Sequence, residues 1–332
     1  MKDQNQFALI KEMFETIEII KNFNTEELYI PITSLRKTKK LFLTGEGSSR
    51  IFPAKNIEYQ ALKEFSDLTI LTEGARQASE LNLKDFTLFG ASNSGKTKEI
   101  ISLFKSVKFQ SKFALTAHRN TPLGKLSDKE FILHCGNERA VAATKSVIEQ
   151  ALFYQTLVYE CLGKKISKAF LIGLANKAEL VLKSEIDPVI ISRIANAKII
   201  YFSGRNNGVA EEAALKADEI ARKKSDYLEG TYVLHGIEEV MNEDEIVILI
   251  DPFKEEEQKI KEILVDGIGM CVVAISSRKT LFPTIKIPSV ENFDGYLQLL
   301  ACWNILVSVG LQLKIDLDKP TRARKIGNEN TL

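Results

Sequence analysis

The sequence predicts an α/β fold in which two parallel sheets are each covered by helices. Short runs rich in β-forming residues alternate with longer helical patterns through most of the chain, and this alternation occurs twice. The chain has 332 residues, of which 45% are apolar and 27% are charged. That length and composition are sufficient for a well-buried core and favour two domains.

Eight candidate strands fall into two series of four. They lie at 40–44, 86–89, 113–116 and 131–134, then at 199–202, 246–250, 271–275 and 284–287. Three pairs of positions at corresponding strand ends are each 159 residues apart: Gly45 and Gly204, Ser92 and Asp251, and Ala117 and Ser276. A constant spacing across three strand ends predicts two copies of one α/β unit.

Helical patterns surround the two units, at 6–23, 144–162 and 293–309. A helical connection at 164–195 is interrupted by Pro188. The polar tail after Gly310 has no helical periodicity of apolar residues. Tails of this kind fray unless contacts with the rest of the protein hold them in place. We therefore predict an amino-terminal helical segment (1–35), two domains (36–165 and 196–312) joined by a helical linker (166–195), and a carboxyl-terminal tail (313–332).

The charge balance excludes some classes of partner. The 45 basic and 44 acidic side chains nearly cancel, so the net charge gives no reason to expect binding to nucleic acid or to an anionic membrane. The longest apolar run, residues 299–309, contains Asn304 and Ser308 and is too short to span a bilayer. The charged amino terminus does not have the pattern of a signal peptide. We therefore expect a cytoplasmic protein.

The cysteines and histidines form no metal-binding pattern. The chain has four cysteines and three histidines, all widely spaced: Cys135, Cys161, Cys271 and Cys302, and His118, His134 and His235. No pair has the spacing of metal ligands or of a redox motif. We expect buried, reduced thiols, no metal and no other cofactor.

One loop has two possible ligands. The stretch "FTLFGASNSGKTKEI", residues 86–100, enters a turn from a predicted strand and leaves it into a predicted helix. Its segment 90–97 satisfies the P-loop signature of nucleotide hydrolases. The same loop presents Ser92, Ser94 and Thr97 at a helix N-terminus, where free amides and the helix dipole favour any phosphate.

The repeat weighs against the nucleotide. A P-loop enzyme also needs an acidic residue at the end of a neighbouring strand to position magnesium, and Asp251 is the candidate. Asp251 is the repeat equivalent of Ser92, however, so we expect it in the other sheet. The P-loop also normally follows the leading strand of its unit, whereas strand 40–44 comes first here. A serine-rich turn with no ligand remains a third interpretation.

Six segments in chain order carry a further signal: "GEGSS" at 45–49, "SNSGKT" at 92–97, "ERAVAATKS" at 138–146, "EEAALKADEI" at 211–220, "LHG" at 234–236 and "DLDKPTRARK" at 316–325. They resemble, in order, "CGTS", "SQSGET", "E-x-x-V-A-S/A-T-K", "LEGALKLKEI", "KHGP" and "DVDQPRNLAK" of the sugar isomerase (SIS) domain family. That family includes the isomerase half of glucosamine-6-phosphate synthase and stand-alone deaminases and phosphosugar isomerases. The resemblance implies two tandem SIS domains, each a flavodoxin-like α/β/α sandwich with a mainly parallel sheet.

The resemblance also implies a site. Glu219 would carry a proton between two sugar carbons, and His235 would open the ring, at the family's spacing of sixteen residues. Lys325 would stabilise charge at the reacting oxygens from a tail that closes over the sugar. The residues expected to bind the phosphosugar are Ser48, Ser49, Ser92, Asn93, Ser94, Thr97, Val141 and Lys216.

The helical stripe at 211–220 places Glu212, Lys216 and Glu219 near one helix face. For Glu212 and Lys216 we favour a structural role, or one that supports a neighbouring site residue. In the family the ring-opening His comes from the partner subunit, so the resemblance implies a homodimer with shared sites. Four positions depart from the family pattern and put the substrate in question: Arg50, Lys96, Asp218 and Ile237.

The sequence leaves the reaction open among three hypotheses. The chain begins Met1-Lys2-Asp3, so we expect no ammonia-supplying glutaminase domain ahead of the first SIS domain. The leading hypothesis is isomerisation and deamination of glucosamine 6-phosphate to fructose 6-phosphate. The alternatives are a simple phosphosugar isomerase or a fructosamine-6-phosphate deglycase, and a phosphosugar sensor without activity.

Overall fold

Two parallel five-stranded sheets organise the protein. The computed structural model describes residues 7–64 and 67–322. The described residues divide into two compact units. The first unit consists of residues 15–139 and 143–175, and the second unit consists of residues 7–14, 140–142 and 176–321.

The sheet of the first unit has the strand order β2-β1-β3-β4-β5, and every neighbouring pair is parallel. Its strands are β1 (Lys40–Thr44), β2 (Thr69–Thr72), β3 (Thr87–Ala91), β4 (Ser111–Thr116) and β5 (Lys129–Ile132). The helices from the amino terminus to the end of this unit are α1 (Ala8–Asn22), α2 (Tyr29–Thr38), α3 (Ile51–Glu64), α4 (Ala75–Ala78), α5 (Lys98–Ser106), α6 (Lys145–Cys161) and α7 (Lys168–Lys183). Helices α1 and α7 each continue across the boundary between the two units.

The central strand β3 is buried on both faces, as expected of a parallel sheet between two helical layers. Successive side chains of a strand point to opposite faces. Leu88 packs in a cluster with Phe42 and with Phe104 of α5. Phe89 faces the other way, and its ring centroid lies 5.0 Å from that of Phe113 and 5.6 Å from that of Phe153 on α6.

The sheet of the second unit has the order β10-β9-β8-β6-β7, which is the same topology as that of the first sheet. Its strands are β6 (Ile199–Gly204), β7 (Lys224–Glu229), β8 (Ile246–Ile250), β9 (Cys271–Ser276) and β10 (Thr284–Lys286). The remaining helices are α8 (Pro188–Asn196), α9 (Val209–Lys216), α10 (Glu257–Ile260) and α11 (Asp294–Gln312). A π-helical turn, Ala217–Ala221, continues α9. The predicted α/β fold class is thereby confirmed.

Each of the eight predicted strands overlaps one that the structure contains. The sequence analysis missed β2 and β7, which are the corresponding edge strands of the two sheets. Only alternate residues of β2 are buried, and β7 has one buried residue, Leu228. Edge strands have few buried positions and therefore a weak hydrophobic pattern.

The helical connection is interrupted as predicted, but Pro188 begins a helix rather than breaking one. Asp187 caps α8 by accepting a hydrogen bond from the Val189 amide at 2.8 Å. Proline is favoured at the first helical position because its missing N–H would have no partner there.

Helix α11 is long and apolar enough to cross a membrane by length and composition. It lies inside the second unit, with 78% of its apolar window buried, as the core helix of a globular domain would be. The four cysteines are free thiols; Cys135, Cys161 and Cys302 are buried and Cys271 is partly buried. Burial raises the pKa of the Cys302 thiol and keeps it protonated.

Replacement of Phe89 by Ala removes the centre of the aromatic layer of the first unit. We expect the free energy of unfolding to fall by about 3–5 kcal/mol, because a buried ring is lost and a cavity remains. Urea denaturation measures the change. Leu62→Ala is the control, since Leu62 is 83% exposed, and an exposed position should change the same quantity by less than about 0.5 kcal/mol. Equal effects of the two substitutions would contradict the assignment of Phe89 to the core.

Candidate active site

The carboxyl ends of β1 and β3 lie side by side at one edge of the first sheet, where the order of the strands places a crevice. The two strands are neighbours and parallel, with Thr44 opposite Gly90. From β1 the chain proceeds outward to β2, and from β3 it proceeds the other way to β4 and β5. Such a reversal of strand order is the topological switch point at which open α/β sheets bind ligands. The loops that begin at residues 45 and 92 both leave the sheet at this point.

The hydroxyl groups of the loop at 92–97 make hydrogen bonds within the loop. The Ser92 hydroxyl is buried and lies 2.7 Å from the Thr97 hydroxyl. The backbone amide of Lys96 donates to Ser94 Oγ at 3.2 Å. The Asn93 side-chain oxygen is buried and accepts no hydrogen bond from the described residues. A buried acceptor without a donor calls for water or a ligand.

The loop ends at an uncapped helix N-terminus. Thr97 is the N-cap residue of α5, and its side chain makes no capping hydrogen bond. The first amides of a helix have no partner within it and favour an anion. Ser48 and Ser49 lie in a short 3₁₀ turn after β1 and are partly exposed. Neutral donors of this kind suit a phosphate without a metal.

The second unit has an ion pair at the equivalent crevice. Arg205 follows β6 and Asp251 follows β8, and the two side chains are 2.8 Å apart from Nη1 to Oδ2. The same Arg205 nitrogen donates to the Asp251 carbonyl, and the guanidinium lies 4.5 Å from the centre of the Phe253 ring. An acidic side chain at this position disfavours phosphate. Because Asp251 is paired within the second unit, the structure gives no support to its role in a P-loop magnesium site.

Three charged side chains meet on α9 and the π turn. Lys216 Nζ lies 3.3 Å from Glu212 Oε1 and 2.7 Å from Glu219 Oε2. Lys216 and Glu212 are fully buried, while Glu219 keeps 23% of its side chain exposed. Burial lowers the pKa of Lys216, but the carboxylates of Glu219 and Glu212 outweigh it and raise the pKa above its usual value. Lys216 is therefore a permanent cation.

Of these three side chains, Glu219 is the one that solvent can reach. The Glu219 oxygen Oε1 accepts no hydrogen bond from the described residues, whereas Oε2 is held by Lys216. From its buried position Lys216 can orient Glu219. The π turn that carries Glu219 was not predicted, and single π turns inside helices occur frequently at functional sites.

Glu219 precedes β7 in the chain, and His235 follows it. The chain passes from the π turn into β7 and reaches His235 only after that strand ends. Six residues of strand separate the two positions by roughly 15–20 Å along the strand direction. The His235 ring is exposed, and its Nε2 lies 3.4 Å from the Thr231 hydroxyl. Within one copy of the second unit, Glu219 and His235 therefore lie toward opposite ends of β7.

The remaining predicted site residues have mixed placements. Val141 is half-buried and belongs to the second unit, whereas Glu138 of the same motif caps α6 by accepting hydrogen bonds from Thr144 N at 2.8 Å and Ser146 Oγ at 2.6 Å. Lys325 lies outside the described residues. Within residues 7–64 and 67–322, no group of three or more His, Cys, Asp or Glu could hold a metal ion.

The chain is similar to known proteins in sequence and in fold. No protein-family model matches the chain. The glutamine–fructose-6-phosphate aminotransferase (isomerizing) of Lactiplantibacillus plantarum is 23% identical over 317 residues, which are 89% of this chain and 52% of that protein. The chain spans about half the length of the curated relatives it matches.

Solved structures cover nearly the whole chain. The C-terminal domain of glucosamine-fructose-6-phosphate aminotransferase from Francisella tularensis has a TM-score of 0.79 at 19% identity, over 96% of this chain and 100% of that one. The tagatose-6-phosphate ketose/aldose isomerase of Escherichia coli has a TM-score of 0.77 at 16% identity, over 96% of each chain. The glucosamine-6-phosphate deaminase of Thermotoga maritima has a TM-score of 0.71 at 18% identity, over 96% and 98%. This chain has the SIS fold.

Of the four positions that depart from the SIS motifs, two lie at the loops of the first unit and two lie in the second unit. Lys96 is exposed at the phosphate-loop position, and Arg50 follows the 3₁₀ turn after β1. In the second unit Asp218 accepts a hydrogen bond from the Ser225 hydroxyl at 3.1 Å, and burial raises the pKa of its carboxyl group. Ile237 packs against the core of that unit. None of the four disrupts the SIS fold.

Gly95 is required by the shape of the 92–97 loop. Its φ is +65°, and a Cβ atom there would lie 2.3 Å from Thr121 Cβ. We expect Gly95→Ala to lower the free energy of unfolding by about 1–2 kcal/mol for the left-handed backbone and by a further 1–3 kcal/mol for the clash. Gly163→Ala is the matched control, because Gly163 has φ +75° but nothing within 4 Å. Equal losses in thermal and urea denaturation would show that the contact with Thr121 does not matter.

Proposed function

We propose that this protein is a phosphosugar aldose–ketose isomerase that acts on a hexosamine or hexose 6-phosphate. The observation that carries the proposal is the crevice of the first unit. It combines loop hydroxyls, a buried amide oxygen without a donor and an uncapped helix N-terminus at the switch point of a SIS fold. The named activities of the structural neighbours support the same class of substrate.

Each residue type suits a step of such a reaction. His235 would protonate the ring oxygen and take the proton of the anomeric hydroxyl, which an imidazole can do near neutral pH. Glu219 would remove the C2 proton of the open aldose and return it to C1, with the enediol or enamine between. Lys216 would hold the carboxylate in one orientation throughout. Ser48, Ser49, Ser94 and Thr97 would bind the phosphate, whose binding energy fixes the open chain.

The specific reaction we propose is isomerisation and deamination of glucosamine 6-phosphate. Proton transfer from C2 to C1 of the open amino aldose converts its C2 amine into an imine. Addition of water to the imine carbon and departure of ammonia then give fructose 6-phosphate. Lys325, outside the described residues, would stabilise charge at the reacting oxygens. We propose that the reaction takes place in the cytoplasm and requires no cofactor.

We further propose that two copies of the chain share each site. The separation of Glu219 and His235 across β7 supports this, because a second copy related by a two-fold axis can supply the imidazole. The loop that contains His235 exposes the side chains of Tyr232 and Val240. These two side chains offer apolar area for such an interface.

Turnover of glucosamine 6-phosphate tests the function, and Glu219→Gln tests the mechanism. We expect the wild-type protein to release ammonia and fructose 6-phosphate in equal amounts. The amide cannot carry the proton, so kcat should fall by about 10²- to 10⁴-fold while the affinity for the sugar, measured by titration calorimetry, stays within about twofold.

Glu185→Gln is the matched control, since Glu185 is exposed in the linker between α7 and α8. It should leave kcat unchanged. A wild-type protein that binds the sugar phosphate but converts neither it nor other hexose 6-phosphates would reject the enzymatic proposal and favour a sensor. Isomerisation of a hexose 6-phosphate without ammonia release would favour the simple isomerase.

Mixing two inactive variants tests the shared site. Glu219→Gln and His235→Asn should each be inactive alone. If the imidazole comes from the second copy, a mixed dimer has one site with both native groups, and random exchange restores about a quarter of the wild-type activity. Activity assays after subunit exchange, with the dimer followed by sedimentation, measure this. No recovery from a confirmed mixed dimer would place both residues within one subunit.

A further inference from the structure

The carboxyl-terminal tail is anchored in the second unit before it leaves the described residues. We call residues 314–319 the tail root. The Asp318 carboxylate accepts hydrogen bonds from the Ala8 amide at 2.7 Å and the Leu9 amide at 2.9 Å, which are the first amides of α1. The Asp316 carboxylate accepts from the amides of Asp318 and Lys319 at 3.1 and 3.2 Å. The polar segment that the sequence predicts to fray is therefore tied down as far as Lys319.

One side chain connects the tail root to the π turn. Arg222 Nη2 donates to the carbonyl of Asp316 at 2.9 Å and to the carbonyl of Lys319 at 2.6 Å. Arg222 is the residue that ends the π turn, three positions after Glu219. The guanidinium thus spans from the element that carries Glu219 to both ends of a four-residue stretch of the tail.

The backbone of Arg222 has a conformation that is unfavourable for a residue with a side chain. Its φ of 50° lies in the left-handed region, where glycine is the usual residue at a helix end. A side chain in that conformation costs free energy that glycine would not cost.

Close packing joins the same elements at Gly310 of α11. A Cβ atom at Gly310 would lie 2.7 Å from Leu317 Cδ2 of the tail root and 3.2 Å from the Ile220 carbonyl oxygen of the π turn. Leu317 is 5% exposed. At Gly310 the tail root, α11 and the π turn are therefore in close contact, and a shift of one at this point requires a shift of the others.

We propose that Arg222 is a positioning residue that fixes the π turn, and with it the Glu219 carboxylate, against the tail root. The proposal rests on the proposed function for its catalytic consequence, but not for the tether itself. Arg222 is not a catalytic residue, because its guanidinium is bonded to carbonyls of the tail root. Its effect on the reaction is through the position of Glu219, where a displacement of an ångström is costly.

Arg222→Met removes the guanidinium and keeps a long side chain. We expect amide hydrogen exchange in residues 314–319 to become about tenfold faster, the factor expected from loss of about one hydrogen bond to a charged group. In the isomerase assay kcat should fall by roughly tenfold while KM changes by less than about twofold, because the phosphate loop is untouched. Arg222→Lys, which keeps a cationic donor, should recover part of both effects.

Arg193→Met is the matched control, since Arg193 is an exposed arginine of the same unit and should change neither quantity. Unchanged exchange in the tail root of Arg222→Met overturns the tether. Faster exchange with unchanged kcat overturns the positioning role, as does an equal effect of Arg193→Met. If the wild-type protein converts no sugar phosphate, the proposed function fails, and the exchange comparison still decides whether Arg222 holds the tail.

Discussion

In a parallel sheet the loops that follow the strands all leave from one edge, and this constraint determines where either unit can bind a ligand. Both sheets reverse their strand order between the first and third strands of the unit, β1 and β3 in one and β6 and β8 in the other, so both have a switch point at the same place. The residues at the two crevices differ in charge. The 92–97 loop of the first presents hydroxyls beside a helix N-terminus and contains no carboxylate, whereas the loop after β8 in the second begins with Asp251 paired with Arg205. The chemistry of these two loops therefore differs although the fold is the same.

The buried cation on α9 is the second constraint. A lysine ammonium out of water is tolerated only when it is paired, and removal of one partner from a buried pair typically costs about 3–5 kcal/mol. Lys216 has two carboxylate partners, of which Glu212 is as buried as the lysine and Glu219 is not. Glu212 therefore stabilises the cation, and the cation in turn fixes one oxygen of Glu219. The ammonium of Lys216 thus holds the accessible carboxylate through one oxygen, while the other oxygen accepts no hydrogen bond from the described residues.

The sequence predicts more of the fold than of the candidate site. Buried strands such as β3 and β8 are continuous apolar runs and were found, whereas the polar edge strand β7 has one buried residue and was missed. Helical spacing brought Glu212, Lys216 and Glu219 to one face, but hydrogen-bond register inside a helix leaves no periodic signal, so the π turn was not foreseen. The pairing of Arg205 with Asp251 joins residues 46 positions apart in sequence and depends on the strand order. The 159-residue spacing matched Asp251 to Ser92 of the first copy, but it did not predict the pairing of Asp251 with Arg205.

The same spacing shows how the two copies diverged. The equivalents of Lys216 and Glu219 in the first unit are Ile57 and Gln60, both buried on α3. Gln60 accepts a hydrogen bond from Gln155 at 3.0 Å, so a neutral amide stands where the second copy has its carboxylate. At these two positions the first unit is therefore neutral, whereas the second unit carries a lysine paired with two glutamates.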